Sequence, residues 1–92
     1  MKYFKRHWNE SRGDEYDSWG TSYWWFETTD QGEVIRQMEF YDTGTVLKYH
    51  EHFREDEYGG LSEVSLDIEE FESFAISRSD FESQWNTSQH MT

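Results

Sequence analysis

Carboxylates are the most numerous side chains of this chain that could do chemistry, 20 acids against eight Lys and Arg among 92 residues. They gather in three segments without helix or strand periodicity, residues 10–17, 55–57 and 67–72. A suitably spaced carboxyl pair can hydrolyse a glycosidic bond. A general acid, however, needs a carboxyl whose pKa its surroundings raise, which a loop in water does not provide. We therefore expect no catalytic pair and no enzyme.

The histidines could bind a metal ion. His50 and His52 are two residues apart, so on a strand they point the same way. With Glu10 or Glu55 nearby they could hold a divalent ion, but a zinc site needs three or four ligands. His7 adds one only if the first and fourth strands are neighbours. We expect no metal and no cofactor, and the sequence leaves open whether this pair binds a metal.

Other catalytic motifs are missing from the sequence. There is no Cys, hence no disulfide, thiol nucleophile or cysteine zinc site. The serines lie in no nucleophile elbow, as a Ser–His pair would require. Gly59-Gly60 lacks the lysine of a phosphate-binding loop.

The net charge of −12 selects among partners. It repels nucleic acids and anionic lipids, although Lys2, Lys5, Arg6 and Arg12 form a small basic end. It favours fast association with a basic protein, or alternatively serves only solubility. No apolar run approaches the roughly 20 residues of a membrane span. The first residues are too polar for a secretion signal. We expect no nucleic-acid or membrane partner and a cytoplasmic location.

Aromatic rings must form the core. The chain has five Trp, six Tyr and seven Phe, but only three each of Val, Ile and Leu. Each large ring buries roughly 150–250 Å². These rings favour a folded domain despite a mean hydropathy of −1.10.

Alternation predicts strands at residues 2–9, 19–28, 33–41 and 45–51. Two short turns, Asp30-Gln31-Gly32 and Asp42-Thr43-Gly44, join the last three into a meander. A short helix at 67–71, with Asp67 as its N-cap, and a brief strand at 74–77 follow.

A last helix begins near Ser79, which with Glu82 fits a capping box. Phe81 and Trp85 share one helix face and can dock on the sheet. The expected fold is α+β: a single twisted antiparallel sheet of about four to five strands packed by a short C-terminal helix. Residues 1–86 form one domain, and residues 87–92 form a frayed polar tail.

The aromatic segment 19–26 carries the most information about binding. Adjacent residues Trp24 and Trp25 face opposite sides of a strand. A single helix covers only one face, so one ring is expected to be exposed, where Trp is a typical binding hot spot. In the alternatives, loop 10–18 or loop 52–60 folds over that ring, or a homodimer buries it.

Several short motifs together resemble a known family over most of the chain. They are Lys2-Tyr3-Phe4-Lys5 with Trp8, Glu27 near Asp30 and Gly32, Arg36-x-x-Glu39 before Gly44, and Ile76-Ser77 leading to Phe81-Glu82 and Trp85. With these residues the chain resembles a family of short acidic bacterial proteins with a domain of unknown function. Its members usually have proline before the last helix, whereas this chain has none. The resemblance implies a compact α+β fold, no catalytic residues and, by analogy with similar small acidic families, an immunity-protein-like role.

The expected function is capture of a basic protein, such as a toxin or nuclease, by an acidic and aromatic surface, as an immunity protein or inhibitor does. A homo-oligomeric structural domain, such as a homodimer, and a small metal- or ligand-binding domain are the alternatives. The predicted contact residues are Asp14, Glu15, Tyr16, Asp17, Trp19 and Trp24, with Glu55, Asp56, Glu57 and Tyr58 as a second patch.

Overall fold

Four segments with alternating side chains form the sheet that the sequence predicts. The computed structural model describes residues 1–91, and its strands run antiparallel in chain order, each pairing with the next. This confirms the α+β class and the meander, with four strands. They are β1 (Lys2–Trp8), β2 (Ser22–Thr28), β3 (Val34–Tyr41) and β4 (Val46–His50).

The helical segments are short. They are α1 (Ile68–Phe71), α2 (Arg78–Thr87) and two 3₁₀ turns at Asp17–Trp19 and Glu72–Phe74. The strand expected at 74–77 is only an isolated bridge between Ala75 and Phe4. None of the helices within residues 1–91 is long and apolar enough to cross a membrane.

Two glycines permit the predicted turns. Gly32 and Gly44 have φ values of +95° and +88°, which glycine adopts without steric cost. The Gly44 N–H donates to the Tyr41 carbonyl at 2.9 Å and closes the β3–β4 turn. A Cβ atom on Gly32 would lie 2.3 Å from the Leu66 carbonyl oxygen, so that turn also needs glycine for close approach.

Helix α2 covers one face of the sheet. Met38, in the middle of this face, is fully buried, and so is Phe81 of α2, whose ring centre lies 5.4 Å from that of Tyr3. Trp85 stacks on Phe81 and holds the Lys48 Nζ 4.3 Å from its ring centre. The predicted docking of Phe81 and Trp85 is therefore confirmed.

Ser77, rather than Ser79, caps α2. Its backbone is extended, and its Oγ accepts a hydrogen bond from the Asp80 N–H at 3.0 Å. Ser79 was the wrong choice because it lies inside the first helical turn, whereas a cap residue has non-helical dihedrals. Glu82, expected to complete that cap, pairs with Arg36 on the sheet instead.

An ion-paired row links the sheet to α2. Strand pairing aligns Tyr3, Glu27 and Arg36 across β1, β2 and β3. Arg36 donates to both Glu27 carboxylate oxygens, at 2.5 and 3.0 Å, and the Tyr3 hydroxyl donates to the same group at 2.8 Å. Arg36 also binds Glu82. Burial acts to raise the pKa of Glu27, but the hydrogen bonds from Arg36 and Tyr3 outweigh it and lower that pKa.

The second face of the sheet is covered as well. On β3, Gln37, Glu39 and Tyr41 are at most 6% exposed. Trp24 packs on this side and Trp25 on the α2 side, and both are half-buried. The expectation of one exposed ring in this pair is therefore wrong. Instead, as in the alternative in which loops cover the ring, the segments around residues 9–21 and 51–66 fold over this face. They contribute apolar side chains to its core.

The C-terminal segment is packed rather than frayed. Within the part of the expected tail that is described, the His90 Nδ1 accepts from the Lys48 N–H at 2.8 Å, and the Met91 N–H donates to the Val46 carbonyl at 2.9 Å. The His90 Nε2 lies 2.6 Å from Asp56. The prediction of fraying was wrong because these residues satisfy backbone groups of β4. Thr92 lies outside the described residues.

Removing the cation of the ion-paired row is expected to destabilise the fold. In Arg36→Ala, Glu27 would stay buried without its ion-pair partner. We expect a loss of about 3 kcal/mol in the free energy of unfolding, as breaking a buried pair from one side costs roughly 3–5 kcal/mol. Urea denaturation measures it.

Arg54→Ala is the matched control, because Arg54 is exposed and forms no ion pair within residues 1–91. Its change should stay within about 0.5 kcal/mol. Equal losses in both variants would contradict the role given to Arg36.

Candidate functional site

Arg12 joins the two segments predicted to bind a partner. Its Nη2 donates to the Tyr58 carbonyl at 2.5 Å, and its Nε donates to Asp14 at 3.1 Å. The guanidinium lies 5.2 Å from the Tyr16 ring centre and 5.3 Å from that of Trp19, distances at which a cation is attracted to an aromatic face. Segments 14–19 and 55–58 are therefore parts of one surface.

Three of the predicted contact residues pack together as an aromatic cluster, made of Tyr16, Trp19 and Tyr58. Tyr16 and Trp19 stack with ring centres 4.6 Å apart, and Tyr58 lies 5.4 Å from Tyr16 and 5.9 Å from Trp19. All three are half-buried, so part of each residue stays exposed to solvent.

Two of the predicted contact acids hold the loop between β1 and β2. Asp14 accepts a hydrogen bond from the Tyr16 N–H at 2.8 Å. Asp17 accepts from the Ser11 hydroxyl at 2.5 Å and from the Gly13 N–H at 2.8 Å. These bonds, the one from Ser11 first, lower the pKa of Asp17. Both carboxylates are exposed but already have partners within the loop.

Asp56, predicted as a contact acid, is used inside the fold. Its Oδ1 accepts from the Tyr49 hydroxyl at 2.8 Å and from the N–H groups of Tyr58 and Gly59. Its Oδ2 faces His90. Burial acts to raise the pKa of Asp56, but the bonds from Tyr49, Tyr58 and His90 outweigh it and lower that pKa. The other predicted contact acids, Glu15, Glu55 and Glu57, are exposed, as Asp14 and Asp17 are.

A cleft of about 470 Å³ opens beside the aromatic cluster. Its lining includes Trp8, Trp24 and Tyr58, with exposed Glu10 at its margin and buried Glu39 at its floor. The Trp24 Nε1 donates to the Ser22 hydroxyl at 2.8 Å, which fixes the orientation of that ring. We call this space the Glu39 cleft.

A smaller space shares two walls with the Glu39 cleft. It measures about 210 Å³, and Trp8 and Trp24 line it together with Arg6, Phe26 and Phe71. Because Trp8 and Trp24 line both, the two spaces are neighbours, and we call them together the aromatic groove. Trp24, predicted to be a projecting contact, is instead a wall of this groove.

Glu39 is a buried carboxyl whose hydrogen-bond partners are neutral, and Arg12 lines the same cleft. It is 3% exposed, and it accepts from the Gln37 Nε2 at 2.8 Å and from the Tyr41 hydroxyl at 2.6 Å. No lysine or arginine nitrogen of residues 1–91 lies within 4.0 Å of it. Burial raises the pKa of Glu39, and the two hydrogen bonds only partly offset that rise.

Sequence reasoning missed Glu39 and Trp8 as site residues. Side chains along β3 alternate between the two faces of the sheet, so Glu39 and Met38 lie on different faces. A single helix covers only the Met38 face, and the Glu39 face is therefore expected from the sequence to be exposed to solvent. Alternation along β1 puts Trp8 on the same face as Phe4, and this spacing is the signal that could have found it. Trp8 is 50% exposed, and Tyr23, on the other face, is 45% exposed.

The histidines do not converge on the cleft. The ring centres of His50 and His52 are 6.2 Å apart, and the two residues line a shallow depression with Glu27 and Glu51. His7 lies on the opposite edge strand. No three or more His, Asp or Glu side chains within residues 1–91 are grouped so that they could hold a metal ion.

Comparison of the chain with known protein families, curated proteins and solved structures found no match. The immunity-like resemblance therefore stays an expectation from short motifs, and a functional proposal must rest on the geometry of the groove.

The raised pKa of Glu39 predicts a pH-dependent effect of Glu39→Gln. The native state holds this proton more tightly than the unfolded state. Wild type therefore loses stability relative to the variant as pH rises from the ordinary glutamate pKa of 4.5 through the raised value. Urea denaturation of wild type and variant between about pH 2 and pH 8 measures the difference.

Glu27→Gln is the control with the opposite sign. Because the folded-state pKa of Glu27 is lowered, its charge stabilises wild type above pH 4.5, and this advantage is lost as pH falls through the folded value. Two variants with the same slope, or a Glu39→Gln difference independent of pH, would contradict the environment assigned to Glu39.

Proposed function

We propose that the chain is a binding protein that captures a basic protein partner through the surface formed by the aromatic cluster and the Glu39 cleft. The observation that carries this proposal is the contact made by Arg12 between segments 14–19 and 55–58. Two acidic, aromatic segments far apart in sequence thereby present one continuous surface.

Charge attracts the partner in this proposal. Glu10, Glu15, Glu55 and Glu57 are exposed near the cleft, and the whole chain carries a net charge of −12. Such a field raises the association rate with a cationic protein and is screened by salt. Acidic residues also surround α1, so the whole molecule attracts a cationic partner. In this proposal the aromatic rings determine where that partner docks.

The aromatic groove supplies the buried area. Trp8, which lines both spaces, is half exposed, and the smaller space is lined mainly by rings. Partially exposed Trp and Tyr around a concave surface are typical of the residues that dominate binding energy. The groove thus suits an apolar side chain of the partner beside its basic ones.

In this proposal the chain acts by covering a surface of its partner in the cytoplasm and catalyses no reaction. A basic toxin or nuclease inhibited in this way is the partner class that fits the charge. The role is that of an immunity protein or inhibitor.

A homodimer is the second candidate, favoured by β1. This strand is at the edge of the sheet, and its outer side pairs with residues 74–76 near Tyr3 and Phe4, while Trp8 at its far end is half exposed. Light scattering on the free chain separates the two candidates, because a stable dimer that buries Trp8 would favour this one.

Three variants test the capture proposal. Wild type, a cleft-rim variant and a charge-matched control are immobilised, and partners are recovered from host extract and identified by mass spectrometry. Both variants remove three negative charges from exposed glutamates. The rim variant is Glu10→Gln/Glu15→Gln/Glu57→Gln, and the control is Glu63→Gln/Glu69→Gln/Glu72→Gln.

The expected partner is basic, and its association rate with wild type falls steeply with salt. At low salt we expect the rim variant to associate roughly tenfold more slowly than wild type, since local charge steers encounter, and the control to lose much less. A salt-insensitive rate, or equal losses in the two variants, would overturn the proposal.

A further inference from the structure

We propose that the Glu39 cleft accepts an arginine side chain of the basic partner, with the guanidinium between the tryptophan walls and its charge directed at Glu39. This inference rests on the capture function proposed above and specifies its central contact. Four observations carry it: the shape of the cleft, a buried carboxyl that forms no ion pair within residues 1–91, the aromatic walls and the way the chain already holds Arg12.

The cleft is large enough to admit an arginine side chain. Its volume of about 470 Å³ falls within the roughly 300–1,000 Å³ of small-ligand sites. Its floor is the buried Glu39, whereas its wall residue Trp8 is half exposed. A ligand that reaches the floor therefore passes along an indole face.

The carboxyl at the floor favours a cation, because a nearby positive charge stabilises its ionised form. Within residues 1–91, Glu39 has hydrogen bonds from Gln37 and Tyr41 but no ion pair. The Gln37 Nε2 also donates to the Gly60 carbonyl, and the Gln37 Oε1 accepts from the Ser62 N–H, so this amide is fully used. Each oxygen of an ionised carboxylate can accept a further hydrogen bond. A buried charge without a counter-ion is costly, and an incoming cation would relieve that cost.

The aromatic walls favour guanidinium over ammonium. A planar guanidinium stacks on aromatic rings and is less strongly hydrated than an ammonium group. Trp8, Trp24 and Tyr58 offer such faces around the cleft.

The chain itself contains a guanidinium held in this manner. Arg12, which lines the same cleft, lies over Tyr16 and Trp19 and donates to a carbonyl. The open part of the cleft repeats the same combination of rings and oxygen acceptors.

NMR titration with N-acetyl-arginine amide tests the proposal without knowledge of the partner. N-acetyl-citrulline amide is the neutral isostere, and N-acetyl-lysine amide is the ammonium comparison. The indole N–H signals of Trp8 and Trp24 report on the cleft, and that of Trp25, on the opposite face, is the internal control.

We expect the arginine probe to shift Trp8 and Trp24 but not Trp25, with at least about tenfold higher affinity than either comparison probe. That ratio corresponds to about 1.4 kcal/mol. Glu39→Gln should reduce the affinity by a similar factor at pH 7, and Glu69→Gln should not. Trp8→Ala, which removes a half-exposed ring, should also weaken binding, so the test does not depend on how well Glu39→Gln folds.

Equal affinity for arginine and citrulline probes, equal affinity for arginine and lysine probes, or equal shifts at Trp25 would overturn the inference. The outcome is separable from that of the capture proposal. A rim-dependent, salt-sensitive partner with no arginine binding in the cleft would refute only the inference. Arginine binding in the cleft with no such partner would refute the capture proposal.

Discussion

The position of Arg12 is the constraint on which the proposed binding surface depends. One guanidinium donates to the Tyr58 carbonyl across 46 positions of sequence and lies over two rings of its own loop. Tyr58 of the loop after β4 also packs against Tyr16 and Trp19 of the loop between β1 and β2. The partly buried guanidinium of Arg12 is favourable at this position because the Asp14 carboxylate lies beside it.

Burial of a polar sheet face is the second condition. Gln37 and Glu39 lie under the loops, and such groups are tolerated only when hydrogen-bonded. The backbone near Gly60 and Ser62 supplies partners for Gln37, which in turn donates to Glu39. Within residues 1–91 no buried side-chain nitrogen or oxygen lacks a partner. The same network that fixes the loop leaves one carboxyl facing the cleft, so fold stability and the candidate site share residues.

The parts of the fold that depend on local sequence could be predicted. Alternation fixed the four strands, Gly32 and Gly44 marked the turns, and Phe81 with Trp85 identified the helix face that meets the sheet. Each of these signals depends on residues within a few positions of one another.

The parts that depend on distant contacts could not be predicted. The choice between Ser77 and Ser79 as cap was decided by where the chain leaves its contact with β1, near Ala75 and Ile76. The packing of the C-terminal segment depends on His90 reaching Asp56, 34 positions away. From sequence alone, a polar segment such as 87–91 is indistinguishable from a disordered tail, because the residues it contacts are distant in the chain.

Only part of the candidate site follows from the sequence, because the rest depends on contacts between residues distant in the chain. Composition singled out segments 14–19 and 55–58 as acidic and aromatic, but it could not distinguish exposed Glu57 from Asp56, whose oxygens are used inside the fold. Glu39 escaped notice because its burial is caused by loops that carry no periodic signal.

Ring-to-ring proton contacts between the two loops, measured by NMR with labelled aromatic side chains, test the account most directly. The account predicts cross-peaks between Tyr16 and Tyr58, whose ring centres lie 5.4 Å apart. It also predicts that Arg12→Met abolishes these cross-peaks and preserves those between β2 and β3. Wild-type protein without contacts between the loops, or an Arg12→Met variant that keeps them, would contradict the claim that Arg12 joins the two segments into one surface.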